Sequence, residues 1–110
     1  MNKTVKELSE ILEAEVVAGA GGLSGVVTDV YICDLLSWVM GRAPAESIWI
    51  TIQGHVNIIA VAALAEIYCI VVAEGAEIAP ETIAKANEQD IVILKSDKSA
   101  YELAGKLCNL

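Results

Sequence analysis

The chain has no phenylalanine, one histidine, two prolines and only seven basic side chains in 110 residues. Each shortage excludes something. With a single His, and with Cys33, Cys69 and Cys108 far apart and no Cys-x-x-Cys pair, the spacing of a metal site is missing. The three cysteines are therefore expected to be reduced thiols, two of them packed as small hydrophobes. Fifteen acidic residues against seven basic ones give a net charge of −8. With no Lys/Arg cluster to offset it, that charge repels phosphate backbones and anionic lipid, so no nucleic acid and no membrane surface is expected as a partner. The opening Met-Asn-Lys-Thr-Val-Lys-Glu-Leu-Ser-Glu has no apolar signal core, so a cytoplasmic location is expected. The apolar run from Val56 to Ala73 is broken by Asn57 and Glu66 and changes period midway, which argues against a spanning helix.

What is present is aliphatic. Apolar residues make up 55% of the chain and mean hydropathy is +0.57, mostly from Ala, Val, Ile and Leu. That composition suits buried parallel strands. The surplus apolar area fits either a sheet covered on both faces or a further patch buried against a second copy, so a homodimer is expected. The length is that of one domain, residues 1–110.

In chain order, Thr4-x-x-Glu7 is a capping box opening a helix to about Ala14, with Val5, Leu8 and Leu12 at helical spacing. Glu15 to Ala18 reads as a strand, followed by the Gly19-Ala-Gly-Gly22 turn. A phosphate cradle there would need a Gly-Lys-Ser/Thr and a following helix; both are missing, so a plain turn is the reading. Val26 to Cys33 reads as a strand, Asp34 as the cap of a short helix from Leu35 to Met40, and Gly41 as its stop. Pro44 interrupts the loop that leads to a strand at Ile48 to Ile52. Gln53-Gly54-His55 turns into a second helix with Ile58, Ile59, Ala62 and Ala63 among its apolar positions, and Tyr68 to Ala73 is a central strand. Pro80 opens a helix to about Gln89, Ile91 to Leu94 is a strand, and Ser99-x-x-Glu102 opens a last helix with Leu103 and Leu107 inward. This alternation predicts a single α/β domain with a largely parallel or mixed five-stranded sheet flanked by helices.

Within the stretch from Ile48 to Gly75, the turn Thr51 to Asn57 is the best candidate site. Gly54 permits a sharp turn; free N–H groups near Val56 to Ile58 would bind an anion or carboxylate, oriented by Gln53, His55 and Asn57. Glu74 and Gly75, after the neighbouring strand, would lie at the same end if the two strands are parallel. The plainer alternative is that His55 or Asn57 only caps the helix, with Glu74 in water. His55 as a general base would need a nucleophile held by a third group, and no serine, cysteine or carboxylate is tied to it by spacing. Trp38, Met40 and Trp49 are candidates for an apolar dimer contact, with core packing as the alternative for each.

The order of elements resembles the DRTGG domain family and the N-terminal domain of HPr kinase/phosphorylase. The resemblance is carried by Thr4-Val-Lys-Glu-Leu8, Gly21-Gly22-Leu23, Ile48-Trp-Ile-Thr-Ile-Gln-Gly54, Cys69-Ile-Val-Val72, Pro80-Glu81 and Ser99-Ala-Tyr-Glu-Leu103. His55-Val56 stands where the family has Asp-Arg, and Ala73-Glu74-Gly75 where it has Thr-Gly-Gly, so only Gly75 is kept. The resemblance implies an α/β regulatory or dimerising domain, accompanying modules such as paired CBS domains or a kinase, with small members beside hydrogenase and redox proteins; no cofactor is expected. Two functions follow as expectations: a non-enzymatic regulatory domain that dimerises and binds a small polar or anionic ligand at residues 51–57, or an accessory subunit of a kinase, phosphotransferase or hydrogenase system with no ligand. A small enzyme using His55 is a third and weaker reading.

Overall fold

The computed structural model describes all residues from Met1 to Leu110. Five strands form the main sheet: β2 (Glu15–Ala18), β4 (Asp29–Ile32), β5 (Ser47–Thr51), β6 (Cys69–Val72) and β7 (Val92–Lys95). Their spatial order is β2-β7-β6-β5-β4, with β4 to β7 parallel and β2 antiparallel on the β7 edge. The fold class is therefore the expected one, a mixed five-stranded α/β domain.

Parallel strands need crossovers, and three helices supply them: α2 (Leu36–Arg42), α3 (Asn57–Ala65) and α4 (Pro80–Gln89). Val39, Ile58, Ile59, Val61, Ala62 and Ala86 from these helices share one core with Trp49, Ile70, Val72 and Ile93 of the sheet. The alternate strand residues, Ile48, Ile50, Cys69, Val71, Val92 and Leu94, meet Val5, Leu8 and Leu12 of α1 (Val5–Ile11) and Leu103 and Leu107 of α5 (Ala100–Leu107). Successive residues of a strand point to opposite faces, so a sheet covered on both sides must be apolar at every position. All five residues of β5 and all four of β6 are buried.

Several local expectations are corrected. The stretch 26–33 is two strands, not one. Val26–Val27 (β3) leaves the main sheet to pair antiparallel with Lys3–Thr4 (β1), while β4 pairs with β5. Thr28 between them donates its N–H to Glu46 O at 3.0 Å. Asp34 caps nothing: Leu35 occupies the N-cap of α2 without a side-chain bond, and Gly41 lies inside the helix, which runs on to Arg42. Trp49 belongs to no surface patch; it is fully buried, and its indole N–H donates to Cys33 O at 2.9 Å.

The glycine turn, by contrast, is a turn, and packing explains it. Gly19 has φ +73°, and a Cβ there would lie 1.9 Å from Ile91 O. Its N–H donates to Asn87 Oδ1 at 2.8 Å, so the turn wraps the α4–β7 junction. No helix is long and apolar enough to cross a membrane.

Candidate functional site

The register aligns Thr51 with Val72, and Val72 with Lys95, so β5, β6 and β7 finish together. The segments following β4, β5, β6 and β7 thus form one rim. Ala73 N–H donates to Thr51 O at 2.9 Å, placing the turn after β6 beside the turn after β5.

Thr51 is 2% exposed, and its hydroxyl donates to Asp34 Oδ1 at 2.8 Å. The Ile52 N–H donates to the same oxygen at 2.9 Å, and Gln53 Nε2 donates to Asp34 O at 3.0 Å. Thr51 and Gln53 therefore fasten the turn to the end of β4. Gly54 lies under the strap that leads into α4: a Cβ on it would sit 1.8 Å from Glu77 O. Its carbonyl accepts from Ala79 N–H at 3.1 Å and from the Thr82 hydroxyl at 2.8 Å.

His55 is exposed, and its Nδ1 accepts from Asn57 N–H at 3.1 Å. In the neutral ring this leaves the proton on Nε2, which is then a donor. Ile58 N–H donates to His55 O at 3.1 Å and Ile59 N–H to Val56 O at 3.1 Å. The donors expected to be free for an anion are thus largely taken, and His55 does the capping. Asn57 is exposed as the first residue of α3.

Glu74 and Gly75 follow β6 with φ 62° and 63°, a reversal that sends the chain over the next loop. Glu74 N–H donates to Lys98 O and Gly75 N–H to Ser96 O, each at 2.9 Å. The rim residues consequently line two depressions. Gly54 and His55 share one of ≈ 240 Å³ with Glu77 and Ala79. Gly75 instead abuts Asp97, part of a polar depression of ≈ 420 Å³ lined by Glu13, Glu15, Lys95, Ser96, Asp97 and Lys98. Trp38 and Met40 lie away from both, about half exposed on α2.

Sequence reading missed Asp34 as the hub of the rim and Glu77 as a neighbour of His55. The Asp34–Thr51 bond spans 17 positions, and no local pattern signals it. Thr82 carried a faint signal, a polar residue on the inward face of α4, which is fully buried.

Among solved structures the chain is similar to the CBS and DRTGG domains of the regulatory region of Clostridium perfringens pyrophosphatase, complexed with the activator diadenosine tetraphosphate. The TM-score is 0.75 at 13% identity, over 94% of this chain and 45% of that one. The chain thus spans less than half of that neighbour, and the likeness is one of fold. No curated protein matches the sequence. The model of the DRTGG domain matches residues 7–110, nearly the full length, and the chain belongs to the DRTGG domain family.

Proposed function

We propose that the chain is a non-enzymatic regulatory domain that self-associates and responds to a small polar ligand at the turn 51–57. The observation that carries this reading is the hub at Asp34. It holds the Thr51–Gln53 turn by three hydrogen bonds and immediately precedes α2, the helix bearing the exposed Trp38 and Met40. A molecule seated beside Gly54 and His55 acts on that turn, and the turn acts on the start of α2. This is a short physical link between a ligand site and a contact surface.

The chemistry beside His55 narrows the ligand. Its depression has Glu77 as the charged group in its lining, together with His55, whose Nε2 carries the proton in the neutral ring. That arrangement favours a neutral or cationic molecule that offers a hydrogen-bond donor to Glu77 and an acceptor to His55 over a polyphosphate. The regulatory region of the pyrophosphatase neighbour takes a dinucleotide activator; a nucleoside portion suits the depression here better than its phosphates. Against an enzyme stands the use of His55 Nδ1 as a helix cap, which occupies the lone pair a general base would need.

The second reading, an interaction subunit serving a kinase or redox enzyme with no ligand of its own, is favoured by the internally satisfied N-terminus of α3. Thermal-shift screening with nucleosides, nucleotides, amines and carboxylates separates the two. A stabilising hit that disappears in both His55→Ala and Glu77→Ala supports the ligand. Silence across the panel, or a hit indifferent to both substitutions, removes it and leaves the interaction subunit.

A further inference from the structure

A second hollow lies at the other end of the sheet. Tyr68 immediately precedes β6 and Ile91 immediately precedes β7, at the ends where these parallel strands begin. The turn 51–57 follows β5 at the opposite ends. Between Tyr68, Ile91 and the loop after β2 is a cavity of ≈ 350 Å³, with Gly22, Ser24, Gly25, Tyr68, Gln89 and Asp90 among its lining residues. Pockets for small molecules start at about 300 Å³. The glycine turn has a part in its shape. A Cβ on Gly21 would overlap the Asp90 carboxylate, and one on Gly22 the Asp90 carbonyl, so bare backbone at both positions seats Asp90 at the wall. A Cβ on Gly25 would come within 3.1 Å of Cδ2 of the Tyr68 ring.

The charge of this cavity has one sign. Asp90 is the only ionised side chain among the lining residues, and it takes part in neither ion pair of the chain. It also closes α4. The N–H groups of Asp90 and Ile91 both donate to Ala86 O, so neither reaches the carbonyls of Asn87, Glu88 or Gln89 in the last turn. Those carbonyls form the negative end of the helix dipole, which favours a cation. Donors that could hold an anion are spent on the turn itself: Gly22 N–H goes to Gly19 O at 2.9 Å, Leu23 N–H to Ala20 O at 3.3 Å and Gly25 N–H to Gly22 O at 3.2 Å. An aromatic ring completes the set, because the face of a tyrosine attracts a cation.

We propose that this cavity binds an organic cation, with a primary ammonium or guanidinium head held by the Asp90 carboxylate beside the Tyr68 ring. Such a head group donates several N–H bonds where the protein offers a carboxylate and helix-end carbonyls. A metal ion is a poorer match: no group of three His, Cys, Asp or Glu side chains able to hold one exists in the chain. A phosphate would face the Asp90 carboxylate on a chain of net charge −8. The head group arrives either on a small free amine or guanidine or on a basic side chain of another protein, and both present the same chemistry. The site is independent of the ligand proposed at the turn 51–57: the two cavities share no residue and lie at opposite ends of the strands.

NMR titration of the isotope-labelled full chain tests this, with agmatine, which carries both head groups, and with butyrate as the anionic counterpart. The expected result is a set of saturable shifts from agmatine, concentrated at the amides of Gly22, Gly25, Tyr68 and Asp90, with a dissociation constant on the order of 1 mM. Asp90→Asn removes the charge and tolerates the same left-handed backbone, and is expected to weaken binding about 10-fold. Tyr68→Leu is expected to weaken it about 5-fold, whereas Tyr68→Phe keeps the ring and stays within about 2-fold. Glu81→Gln, at the far end of α4, makes the same change of net charge and is also expected to stay within about 2-fold. A blocked arginine, N-acetyl-arginine methylamide, separates the two sources: tighter binding than agmatine points to a protein side chain, weaker binding to a free cation, and either supports the site. Absence of saturable shifts overturns the proposal. So does equal weakening by Glu81→Gln and Asp90→Asn, which would mean general attraction to an acidic surface. Butyrate binding as well as agmatine, or Tyr68→Leu binding as well as Tyr68→Phe, overturns it too.

Discussion

The Asp34 carboxylate at the end of β4 accepts from the buried hydroxyl of Thr51 at 2.8 Å and, through the same oxygen, from the Ile52 N–H at 2.9 Å. One acceptor thereby closes two strands' ends. Asp34→Ala leaves that hydroxyl and that N–H without a protein partner. A buried donor left unsatisfied costs about 1–3 kcal/mol. Urea unfolding is expected to show a loss of that size for Asp34→Ala and a smaller one for Asp34→Asn, which keeps an acceptor. An unchanged midpoint in Asp34→Ala would mean that the bond contributes nothing.

Gly54 is required by close approach rather than by a special φ. A methyl group at this position would overlap Glu77 O, at 1.8 Å, and lie 3.0 Å from the Cα of Ile78. Both obstacles are backbone, so the strap between β6 and α4 has to move, and the bonds from Ala79 and Thr82 to Gly54 O go with it. Gly54→Ala is expected to cost more than about 2 kcal/mol in chemical denaturation. Retention of full stability would show that the strap yields freely.

These two positions also mark how far the sequence could be read. The strand run from Cys69 to Val72, the two capping boxes and the alternation of strands with helices follow from local patterns, and the structure has them. The fate of Trp49 was not legible. Alternation places it opposite Ile48 and Ile50, but only the tertiary structure says that the opposite face is covered too. Helix ends were hidden for another reason. Glu13, Glu66 and Asp90 take the left-handed conformation at or just after the ends of α1, α3 and α4, where glycine is the usual signal. Gly41, the one glycine that looked like a stop, sits within α2.

Those left-handed acidic residues are a reservoir of stability. Glu66 has φ 57° and closes α3, with its own N–H donating to Ala63 O at 3.3 Å. A residue with a Cβ pays about 1 kcal/mol there relative to glycine. Its smaller loss of backbone freedom on folding returns part of that advantage to glutamate. Glu66→Gly is expected to raise stability by about 0.5 kcal/mol, visible as a higher Tm. A lower Tm would show that the Glu66 side chain makes a compensating contribution in the folded state.

The three cysteines differ in reach. Cys69 is fully buried in β6, and burial pushes its thiol well above the usual range, since a thiolate there has no water around it. Cys108 is exposed and Cys33 is partly buried. At pH 8 a disulfide reagent is expected to modify Cys108 quickly, Cys33 more slowly and Cys69 only after denaturant is added. Mass mapping of the labelled peptides checks the order. Fast labelling of Cys69 in the native protein would mean that β6 opens locally.

The capping box at the start of α1 links stability to acidity. Glu7 accepts the Thr4 N–H at 2.9 Å, while Glu7 N–H donates to Thr4 Oγ1 at 3.1 Å. The backbone bond to Thr4 is the main cause holding the Glu7 carboxyl below the ordinary glutamate value, with the Thr4 side chain next and Lys3 adding a smaller attraction. A depressed folded-state pKa means that the charged form favours the folded chain. The contribution is complete above the unfolded-state value and fades as pH falls through the lower folded one. An NMR titration of the Glu7 side-chain carboxyl is therefore expected to show a midpoint below that of an unfolded-chain glutamate. Thr4→Val removes the hydroxyl but keeps the N–H, and should recover only the smaller part of the depression. A midpoint that returns fully to the ordinary value in Thr4→Val would assign the effect to the hydroxyl and overturn the ranking in which the backbone N–H dominates.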